Sequence, residues 1–586
     1  MVIRTLIFLF SIVIASSAYS QTGCELTDWM NGLPPNAERT PENSIALRDT
    51  QVFVGGSNRT VKVPPGFTIT RYAEIHGARG VALSPDGVIF VTGYNGGRIY
   101  ALPDHNRDGK ADSIVTVYSG LTTNHGIAFV KGQLYVSSTD RLFRVVSNDG
   151  DRQAEAAELI ATMDGGGNHA SRTLEYDAVR DKLYISIGST CNICDEDEEE
   201  RATIIEMNPD GTSRRIFARG LRNAVGMDID PRTGALWANS NDADNIFGGG
   251  HPMTNENPKE PIFIVCDGAH YGWPYGYGFK MRYPSGVAVD TAHFDTVRGP
   301  VGQMLAHSAP LGMHFIRGKA LPSRYHGALL NSLHGSWNRQ PPAPPRVMAF
   351  WSSPDGRNAV LEDLITGFQQ ESSPYGRWGR PVSVAEGADG ALYVTDDHGG
   401  SVYRVAYTGE AGRMIDVQGP TGMINGGKAT EITWTATGVN EFVVLFRQSP
   451  RDDFDTIGTT TGNTITWNIP NISVPQAAIR VESTNGLTFD ETTLFAIEPA
   501  GAVGQSTPSH SGLNVVPNPT TDHLTISFKD GRKIERIELL DVRGSLVKQL
   551  RGDAATISVS DLAQGSYLVR VIAGGETHTT QVVISR

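Results

Sequence analysis

The chain lacks several features that define common protein classes. None of its apolar runs approaches the roughly eighteen residues that a membrane-spanning helix needs. Basic residues are outnumbered, 50 Lys and Arg against 63 Asp and Glu, for a formal net charge of −13. This balance argues against a nucleic acid or an anionic membrane as partner, because either requires a basic surface. The 65 glycines follow no Gly-X-Y period and 39% of residues are hydrophobic, which excludes collagen and wholesale disorder.

The N-terminus predicts export. Arg4 precedes the apolar run LIFLFSIVIA, and SSAYS then offers Ala18 and Ser20 as small residues before a cleavage site. A run of about ten residues is too short for a membrane anchor. We therefore predict a signal peptide over residues 1–20. Cys24 leaves a lipoprotein open as an alternative, although the residues before it lack the aliphatic position of a lipidation site.

Cysteine is scarce, with four residues in 586. In an exported chain these residues predict disulfides, first between Cys191 and Cys194 of STCNIC and then between the remaining Cys24 and Cys266. A zinc site would need more ligands than the CNIC pair supplies. We therefore expect structural disulfides rather than a metal centre or a redox catalyst.

One strand-turn-strand phrase recurs through residues 60–410. Its copies, such as GVALSPDGVIFVTGYNGGRIYAL and SVAEGADGALYVTDDHGGSVYRVAY, join two alternating strands by a turn that contains glycine. The first copies are about fifty residues apart, the size of a four-stranded propeller blade. We predict an all-β fold whose main domain is a six-bladed β-propeller, within a range of about five to seven blades. Its loops would line the mouth of a central channel.

Smaller domains follow the predicted propeller. Residues 413–497 read as short alternating strands with Trp434 and Trp467 available for a core, which predicts an immunoglobulin-like β-sandwich. Residues 498–511 have the composition of a flexible linker.

The C-terminal segment, residues 512–586, again consists of short strands. It contains a Pro-Asn-Pro entry at 517–519, the phrase LDVRG at 540–544 and the closing LAQGSYLVRV. This pattern resembles the C-terminal sorting domain of the type IX secretion system. The resemblance implies a small β-sandwich sorting domain, export by the type IX secretion machinery, and either release or attachment at the cell surface.

The segment DHNRDGKAD carries oxygen atoms at alternating positions. Asp104, Asn106, Asp108 and Asp112 supply side-chain oxygens, and the carbonyl of Lys110 lies between them. This spacing can wrap a loop around one hard cation, and Ca²⁺ takes about six to eight such ligands. We predict a calcium site that staples one blade; a polar turn without metal is the alternative.

Glycine-flanked histidines and arginines lie between the predicted strands, where the loops of a propeller converge. Arginine pairs with carboxylates through two hydrogen bonds, and imidazole supplies a base. Such a set suits a flat, polyanionic ligand. Its members are His169, Arg172, Arg222, Asn223, His307, His334, Trp337, Arg339 and Arg380.

Six phrases in this order resemble one enzyme family: GGGNH, GLRNAVG, AHYGWPYG, HSAPLG, LHGSWNR and RPVSVAEGADGALYVTDD. The family is that of the soluble quinoprotein sugar dehydrogenases, in particular the sorbosone-dehydrogenase-like and aldose sugar dehydrogenase proteins. The resemblance covers about residues 70–408. It implies a six-bladed propeller that holds pyrroloquinoline quinone (PQQ) and Ca²⁺ at its mouth. The substrate would be an aldose, a sorbosone-like aldehyde or a related sugar alcohol.

The resemblance also implies roles for individual residues. His169 of GGGNH would be the general base on the substrate hydroxyl. Arg222 and Asn223 would contact the quinone, with Arg222 stabilising negative charge on it, and Arg339 and Arg380 would pair with its carboxylates. Hydride would pass from the substrate carbon to the quinone, and the electrons would then leave to an acceptor that the sequence does not identify.

One segment departs from the family pattern. Where the family has Asn-Glu-Arg-Asp, residues 241–244 read Asn-Asp-Ala-Asp, so Ala243 replaces an arginine. This difference favours an alternative, a non-catalytic propeller that binds a glycan or a protein at the cell surface. A third reading, a lactonase-type hydrolase that uses calcium, would need paired acids at the mouth, for which Asp396 and Asp397 are the candidates.

Each candidate residue also has a packing alternative. His169 could cap a loop, and the arginines could tie neighbouring blades together. Trp273 and Trp337 are predicted to be packing residues rather than platforms for a ligand.

Overall fold

The computed structural model describes Cys24 and residues 44–584, except for the gaps at 95, 123–124, 148–151, 285–286, 290, 319, 358, 370–375, 410–413, 449–453, 500–512, 517–519, 521, 529–532, 541–545, 552–555, 561, 563–564 and 574–575. The predicted signal peptide, most of the predicted linker and the Pro-Asn-Pro entry lie outside the described residues. Nearly all regular structure is β-strand; the described helices are Pro252–Glu256, Thr291–Asp295 and the 3-10 turn Ser323–Tyr325. Within the same residues, no helix combines the length and the apolarity needed to cross a membrane.

Among the described residues, six four-stranded antiparallel sheets, numbered here 1 to 6, lie within residues 67–407, which also contain a two-stranded sheet of Gly276–Tyr277 and Met281–Arg282. Each of the six begins with an inner strand and adds strands outward, and the outer strand of sheet 6 comes from the start of the segment. From the inner strand outward, the strands are Ala78–Leu83, Ile89–Gly93, Arg98–Leu102 and Val115–Tyr118 in sheet 1; Ile127–Val130, Gln133–Ser137, Arg141–Val146 and Ala156–Thr162 in sheet 2; Leu174–Asp177, Lys182–Ile187, Thr203–Met207 and Arg215–Arg219 in sheet 3; Met227–Ile229, Leu236–Asn239, Glu260–Val265 and Gly302–Met304 in sheet 4; Pro310–Phe315, Leu329–Leu333, Arg346–Trp351 and Val360–Ile365 in sheet 5; and Pro381–Glu386, Leu392–Asp396, Ser401–Tyr407 and Phe67–Glu74 in sheet 6.

The sheets form a closed ring. The inner strand of each sheet contacts the inner strand of the next, and that of sheet 6 contacts that of sheet 1. Sheet 6 closes the ring by pairing Ser401–Tyr407 with Phe67–Glu74 along their full length. The inner strands surround a central cavity of about 870 Å³. The strand-turn-strand phrases of the sequence therefore correspond to the repeating units of a propeller-type fold.

A belt of small polar side chains links neighbouring sheets. Ser137, on the second strand of sheet 2, accepts a hydrogen bond from the Gly126 N–H at 3.1 Å and donates one to the Arg172 carbonyl of sheet 3. Asn239 of sheet 4 accepts from the Gly226 N–H at 2.9 Å and donates to the Leu311 carbonyl at 2.8 Å. Thr92 of sheet 1 and Thr395 of sheet 6 make the equivalent bonds. The belt satisfies backbone groups that would otherwise be buried without partners.

Glycine at the start of an inner strand allows neighbouring sheets to approach closely. A Cβ at Gly80 would lie 2.1 Å from the carbonyl oxygen of His125, and one at Gly126 would lie 2.1 Å from that of Arg172. Any larger residue at these positions would push the sheets apart.

Both predicted disulfides are confirmed. Cys191 bonds to Cys194, and Cys24 bonds to Cys266 next to sheet 4. The second bond occupies the Cys24 thiol, which a lipid anchor would need, so it argues against the lipoprotein reading. Beyond Cys24, the hairpin Arg48–Val54 and Ser57–Val63 buries one face in the core that sheets 5 and 6 share.

The strands after the ring build two further sheets. The first comprises Met414–Gln418, Ala429–Thr437 and Thr464–Asn468, and the second includes Phe442–Arg447, Asp455–Thr460, Val474–Ser483 and Phe489–Glu491. Short strands also lie at Met423–Asn425 and Phe495–Glu498. Trp434 and Trp467 are 3% and 4% exposed, which confirms their predicted place in a core.

The second of these sheets is fixed to the ring. Arg324, in the loop between the first two strands of sheet 5, donates to the Asn485 carbonyl at 3.0 Å and forms a buried ion pair with Glu362. The hydroxyl of Tyr407 donates to the Leu487 carbonyl at 2.8 Å. Most of the segment predicted as a sandwich therefore belongs to the same compact unit as the ring.

A second compact unit is formed mainly by residues from Ile497 onward. It contains a three-stranded sheet and a four-stranded sheet around a core that includes Leu524, Ile537 and Val571. The strands are Leu513–Val516, His523–Phe528 and Thr556–Ser558 in the first, and Ile534–Leu540, Leu546–Arg551, Gly565–Ala573 and Glu576–Ile584 in the second.

The belt can be tested at one serine. Ser137→Ala should lower the free energy of unfolding by about 1–3 kcal/mol, because it leaves a buried N–H and a buried carbonyl without partners. Ser332 is a matched control, since it is fully buried on the second strand of sheet 5 and its hydroxyl bonds to none of the described residues. Ser332→Ala should change the free energy of unfolding by less than about 0.5 kcal/mol. Equal losses in the two variants, measured by urea titration, would contradict a role for the belt.

Candidate functional site

The selected histidines and arginines lie at one end of the ring. The loops that enter each inner strand and the loops that join the second and third strands share this end, because neighbouring strands run antiparallel. We call this end the mouth. The sequence-selected residues in these loops are His169, Arg172, Arg222, Asn223, His307, His334, Trp337, Arg339 and Arg380.

The imidazole of His169 is held in one tautomer. Its Nδ1 lies 2.9 Å from both the carbonyl oxygen and the Oγ of Ser189, and this hydroxyl donates its own proton to the Cys191 carbonyl at 2.8 Å. Both neighbours of Nδ1 are therefore acceptors, so Nδ1 carries the proton and Nε2 carries the lone pair. Burial, and then the charge of Arg222, lowers the pKa of His169 to about 4. The imidazole of His169 is therefore a neutral base at neutral pH.

His169 and Asn223 pack on either side of Gly188. A Cβ at Gly188 would lie 2.6 Å from the Cβ of His169 and 2.8 Å from the Oδ1 of Asn223. Glycine at this position therefore brings the base and the amide together. Arg172 stabilises the loop that carries His169, since its guanidinium donates to the carbonyls of His169, Ser171 and Asp164.

The guanidinium of Arg222 is fixed in the wall of the mouth. Nε donates to the Asn192 carbonyl at 3.0 Å, and Nη2 donates to the Asn192 Oδ1 at 2.8 Å. Nη1 donates to the Asn241 carbonyl, and Asp244 forms an ion pair with Nη2 at 3.2 Å. Only 5% of the Arg222 side chain is exposed.

Asp244 joins Arg222 to the HGSWNR loop. Its Oδ1 accepts from the Asn338 Nδ2 at 2.9 Å and lies 3.9 Å from the Nδ1 of His307. The Nε2 of His307 donates to the Thr254 carbonyl at 2.6 Å, and burial lowers the pKa of this histidine. His307 is therefore part of the wall rather than a reactive group.

Arg339 has donors without acceptors. Its side chain is 10% exposed and lies 3.5 Å from Glu256. Nε and Nη1 are buried and bond to none of the described residues. An unpaired buried N–H group is energetically costly. These two donors therefore favour the binding of an anion, which would supply their acceptors.

A second charged group begins the HGSWNR loop. The Nε2 of His334 lies 2.9 Å from one oxygen of Asp397, and Arg79 donates to the other at 2.8 Å. Burial lowers the pKa of His334 to about 4, against the opposing effect of Asp397. Arg380 donates from Nε to the His334 carbonyl at 2.9 Å, and burial, with the charge of Arg377, lowers the pKa of Arg380 to about 10. The nearby positive charges of Arg377 and Arg79 also favour the binding of an anion at Arg380.

The two acids considered for hydrolysis are already bonded. Asp396 accepts from the backbone N–H groups of Arg380 and Gly399 and from the Tyr403 hydroxyl, all within 2.8 Å. Although burial opposes it, the hydrogen bond from His334 and the charge of Arg79 hold the pKa of Asp397 far below its ordinary value. These contacts do not favour the hydrolase reading.

At the departure in residues 241–244, the smaller side chain packs into the wall of the mouth. Ala243 is fully buried in an apolar cluster with Trp273, Tyr277 and Tyr283. The prediction that Trp273 is a packing residue is confirmed, since it is 4% exposed. The same prediction for Trp337 is wrong: it is 69% exposed, because the HGSWNR loop turns this side chain outward while Asn338 and Arg339 turn into the wall.

Four residues of the mouth, Arg79, Ser189, Asn192 and Asn338, were not selected from the sequence. Arg79 lies just before the first strand phrase, whereas Ser189 and Asn192 lie inside STCNIC and Asn338 inside HGSWNR. Only the last three carried a signal, as polar residues within motifs already quoted.

The predicted calcium loop lies at the opposite end of the ring, because it joins the third and fourth strands of sheet 1. The carboxylate of Asp104 accepts from the N–H groups of Asp108 and Gly109, and that of Asp112 accepts from the His105 N–H. The Asn106 oxygen also accepts from the Asp108 N–H, and Asp108 accepts from the Lys110 N–H at 2.9 Å. The five residues thus curl into one compact loop.

Across the described chain, one group of three His, Cys, Asp or Glu side chains has its ligand atoms within 4.8 Å of one another. It consists of Cys191, Cys194 and Glu196. The disulfide occupies both sulfurs, so this group does not offer a metal site.

The ring matches a known family. The TrAA12-like family model matches residues 61–408. An uncharacterized protein of Borreliella burgdorferi is 28% identical over 369 residues, which cover 59% of this chain and 91% of that protein. The pyrroloquinoline quinone-dependent pyranose dehydrogenase of Coprinopsis cinerea is 26% identical over 414 residues, which cover 60% of this chain. The match spans only about half, 54%, of the length of that relative.

Solved structures show the same fold. The holo form of the pyranose dehydrogenase PQQ domain from Coprinopsis cinerea has a TM-score of 0.50 at 23% identity, covering 59% of this chain and 97% of that domain. The calcium structure of the Trichoderma reesei family AA12 enzyme has a TM-score of 0.54 at 17% identity, covering 61% and 99%.

The C-terminal unit matches a second family model. The secretion system C-terminal sorting domain matches residues 514–585. This match confirms the predicted sorting domain and indicates export through the type IX system, to the cell surface or into the medium.

The buried histidines predict a dependence of stability on pH. The pKa of His169 is about 4 in the folded chain, below its ordinary value of 6.5. Between these values the unfolded state binds more protons, so the free energy of unfolding should fall as the pH is lowered from about 6.5 to about 4. His169→Gln should reduce this loss by roughly 1–2 kcal/mol. Urea titrations at several pH values test this, with His76→Gln as control, since the His76 side chain is 86% exposed. An unchanged pH dependence in His169→Gln would contradict the prediction.

Proposed function

Because the chain belongs to the TrAA12-like family, we propose that it is an exported PQQ-dependent dehydrogenase that oxidises a sugar at a CH–OH carbon. The observation that carries this proposal is the neutral His169, whose Nδ1 is fixed by Ser189 so that Nε2 carries the lone pair, at the same end of the ring as Arg222 and the incompletely paired Arg339. The Coprinopsis cinerea relative, a pyrroloquinoline quinone-dependent pyranose dehydrogenase, supports the choice of cofactor and substrate class.

The residues of the mouth fit a flat tricarboxylate such as PQQ. Arg339 has two buried donor atoms without acceptors among the described residues, and burial, followed by the charge of Arg377, lowers the pKa of Arg380. We propose that these two arginines hold the carboxylates of the cofactor, and that Arg222 and Asn223 hold the side of the quinone.

The bound quinone would supply the electrophilic carbon that accepts hydride from the substrate. His169 accepts the proton of the substrate hydroxyl at Nε2, while Ser189 keeps Nδ1 protonated and the ring in place. Arg222 holds a fixed positive charge where negative charge develops, and Asn192 and Asp244 prevent its rotation. The exposed Trp337 would offer its face to the sugar ring.

A non-catalytic propeller that binds a glycan remains the second candidate. The outward Trp337 suits it equally, because aromatic faces also carry bound sugars. It does not require a histidine with a fixed tautomer and a lowered pKa, and this histidine favours the enzyme. The specific substrate, whether an aldose, a sorbosone-like aldehyde or a sugar alcohol, is part of the proposal.

The finer architecture is proposed on the same basis. The six four-stranded sheets support six blades, and the two sheets that follow them support an immunoglobulin-like sandwich. We place the domains at 60–410, 413–497 and 512–586, after a signal peptide at 1–20 and with a linker at 498–511. The sorting domain supports surface attachment or release of the mature enzyme.

The enzyme proposal is tested on the purified full chain with PQQ, Ca²⁺ and a redox dye. Wild-type protein should reduce the dye with aldoses, sorbosone or sugar alcohols, and His169→Gln should lower kcat by about a hundredfold or more, because the base is lost. Arg339→Met should raise the dissociation constant for PQQ by roughly tenfold to a hundredfold, measured by absorbance titration.

Arg357→Met is the control for Arg339→Met, since this arginine is 60% exposed and pairs only with Asp355 among the described residues. It should leave PQQ binding unchanged. If the wild-type chain binds no PQQ, the dehydrogenase proposal is wrong and the glycan-binding candidate takes its place.

The calcium loop makes a separate prediction. Ca²⁺ should raise the unfolding temperature of the wild-type chain, and the double variant Asp104→Asn with Asp108→Asn should abolish this rise, because two charged ligands are lost. PQQ binding should stay the same, since the loop lies at the end opposite the mouth. Calorimetry with Ca²⁺ or chelator measures the effect, and a rise retained in the double variant would contradict the site.

A further inference from the structure

We infer that Asn192, held in the four-residue ring of the Cys191–Cys194 disulfide, is a positioning residue that fixes the Arg222 guanidinium beside His169. The inference rests on the proposed function for its catalytic consequence. Its structural part concerns only residues of this chain and can be tested without cofactor.

Asn192 uses its carbonyl and both of its side-chain polar atoms in the wall of the mouth. Its carbonyl accepts from Arg222 Nε and from Trp273 Nε1, at 3.0 and 2.9 Å. Its Oδ1 accepts from Arg222 Nη2 and from the Asp244 N–H, both at 2.8 Å. Its Nδ2 donates to the Asp244 carbonyl at 2.8 Å. One residue therefore supplies two acceptors to Arg222 and fixes the loop that carries its ionic partner.

The disulfide determines where Asn192 can lie. Only Asn192 and Ile193 lie between the two bonded cysteines, so the disulfide leaves the backbone of this segment little conformational freedom. Cys191, Ile193 and Cys194 pack against the apolar cluster around Trp273. The segment 191–194, which the disulfide closes, is therefore anchored on its apolar side, and its other side presents Asn192 to the mouth.

The same disulfide-closed segment also holds His169, the proposed base. The hydroxyl of Ser189, which sets the tautomer of His169, donates to the Cys191 carbonyl at 2.8 Å. The base and the guanidinium are therefore fixed relative to each other through one short covalent loop. The segment thus adds to the hydrogen bond from the Thr173 hydroxyl to the Val225 carbonyl, which joins these two loops directly.

The test compares Asn192→Ala and the double variant Cys191→Ser with Cys194→Ser. Asn192→Ala removes the Oδ1 acceptor and the bonds to Asp244, and the double variant releases the segment that carries Asn192. In both, Arg222 should be held less firmly beside His169, so the pKa of His169 should rise toward its ordinary value. Nuclear magnetic resonance of histidine-labelled protein without cofactor measures this pKa, with His169→Gln to assign the signal. In the loaded enzyme, the dissociation constant for PQQ should rise roughly tenfold to a hundredfold. The Michaelis constant for the sugar should change by less than about twofold.

Asn208→Ala is the matched control. Asn208 also makes several side-chain hydrogen bonds in a tight turn, to Lys182, Thr212 and Ser213, but it lies between the third and fourth strands of sheet 3, away from the mouth. It should change neither the pKa of His169 nor PQQ binding. The thermal unfolding midpoint shows which variants are folded, and the double cysteine variant decides the case if Asn192→Ala is not.

The outcomes separate the two proposals. If the wild-type chain binds no PQQ, the proposed function fails, and the titration of His169 still decides whether Asn192 positions Arg222. If PQQ binds to the wild type and the folded variants keep the wild-type pKa of His169 and the wild-type PQQ affinity, the positioning role is wrong and the proposed function stands.

Discussion

The hydrogen bonds of the belt between neighbouring sheets are the constraint on which the mouth depends. Ser137, Asn239 and the two threonines each accept from an N–H of their own sheet and donate to a carbonyl of the next. The carbonyls that they bind include those of two mouth residues, Arg172 and Arg79. Because each bond spans two sheets, the position of a side chain at the mouth depends on the whole ring. The glycines at the inner strands allow this close spacing, since any Cβ there would separate the sheets.

Burial and charge together determine the protonation state of His169. A histidine on the surface would be partly protonated near neutrality, whereas burial and the neighbouring Arg222 keep this one neutral. The same arginine that lowers the basicity of the imidazole is proposed to stabilise charge on the acceptor. The incomplete pairing of Arg339 then provides for an anionic ligand, because a guanidinium this deeply buried gains most from a partner that excludes water.

The sequence predicted the strands of the ring well, because each turn carries glycine and each strand alternates. It also predicted that His169, Arg222 and Arg339 lie at one end of the ring, since all three fall in loops between the predicted strands; their roles stay predictions. It failed where position depends on other loops. Trp337 was expected to pack, but no local pattern shows which way an isolated aromatic turns within an irregular loop. Asn192 was missed because its importance follows from contacts with Arg222 and Asp244, which lie 30 and 52 residues away in the chain.

The pairing of Phe67–Glu74 with Ser401–Tyr407 has a consequence for the order of assembly. The first strand of the ring finds its hydrogen-bonding partner only after the chain has been made and delivered as far as Tyr407. Until then one edge of that strand stays open, and the growing stack of sheets has two free ends. Contacts this distant in sequence close slowly. The Cys24–Cys266 bond, which spans 242 residues, ties the start of the chain to sheet 4 before the ring is complete if it forms early.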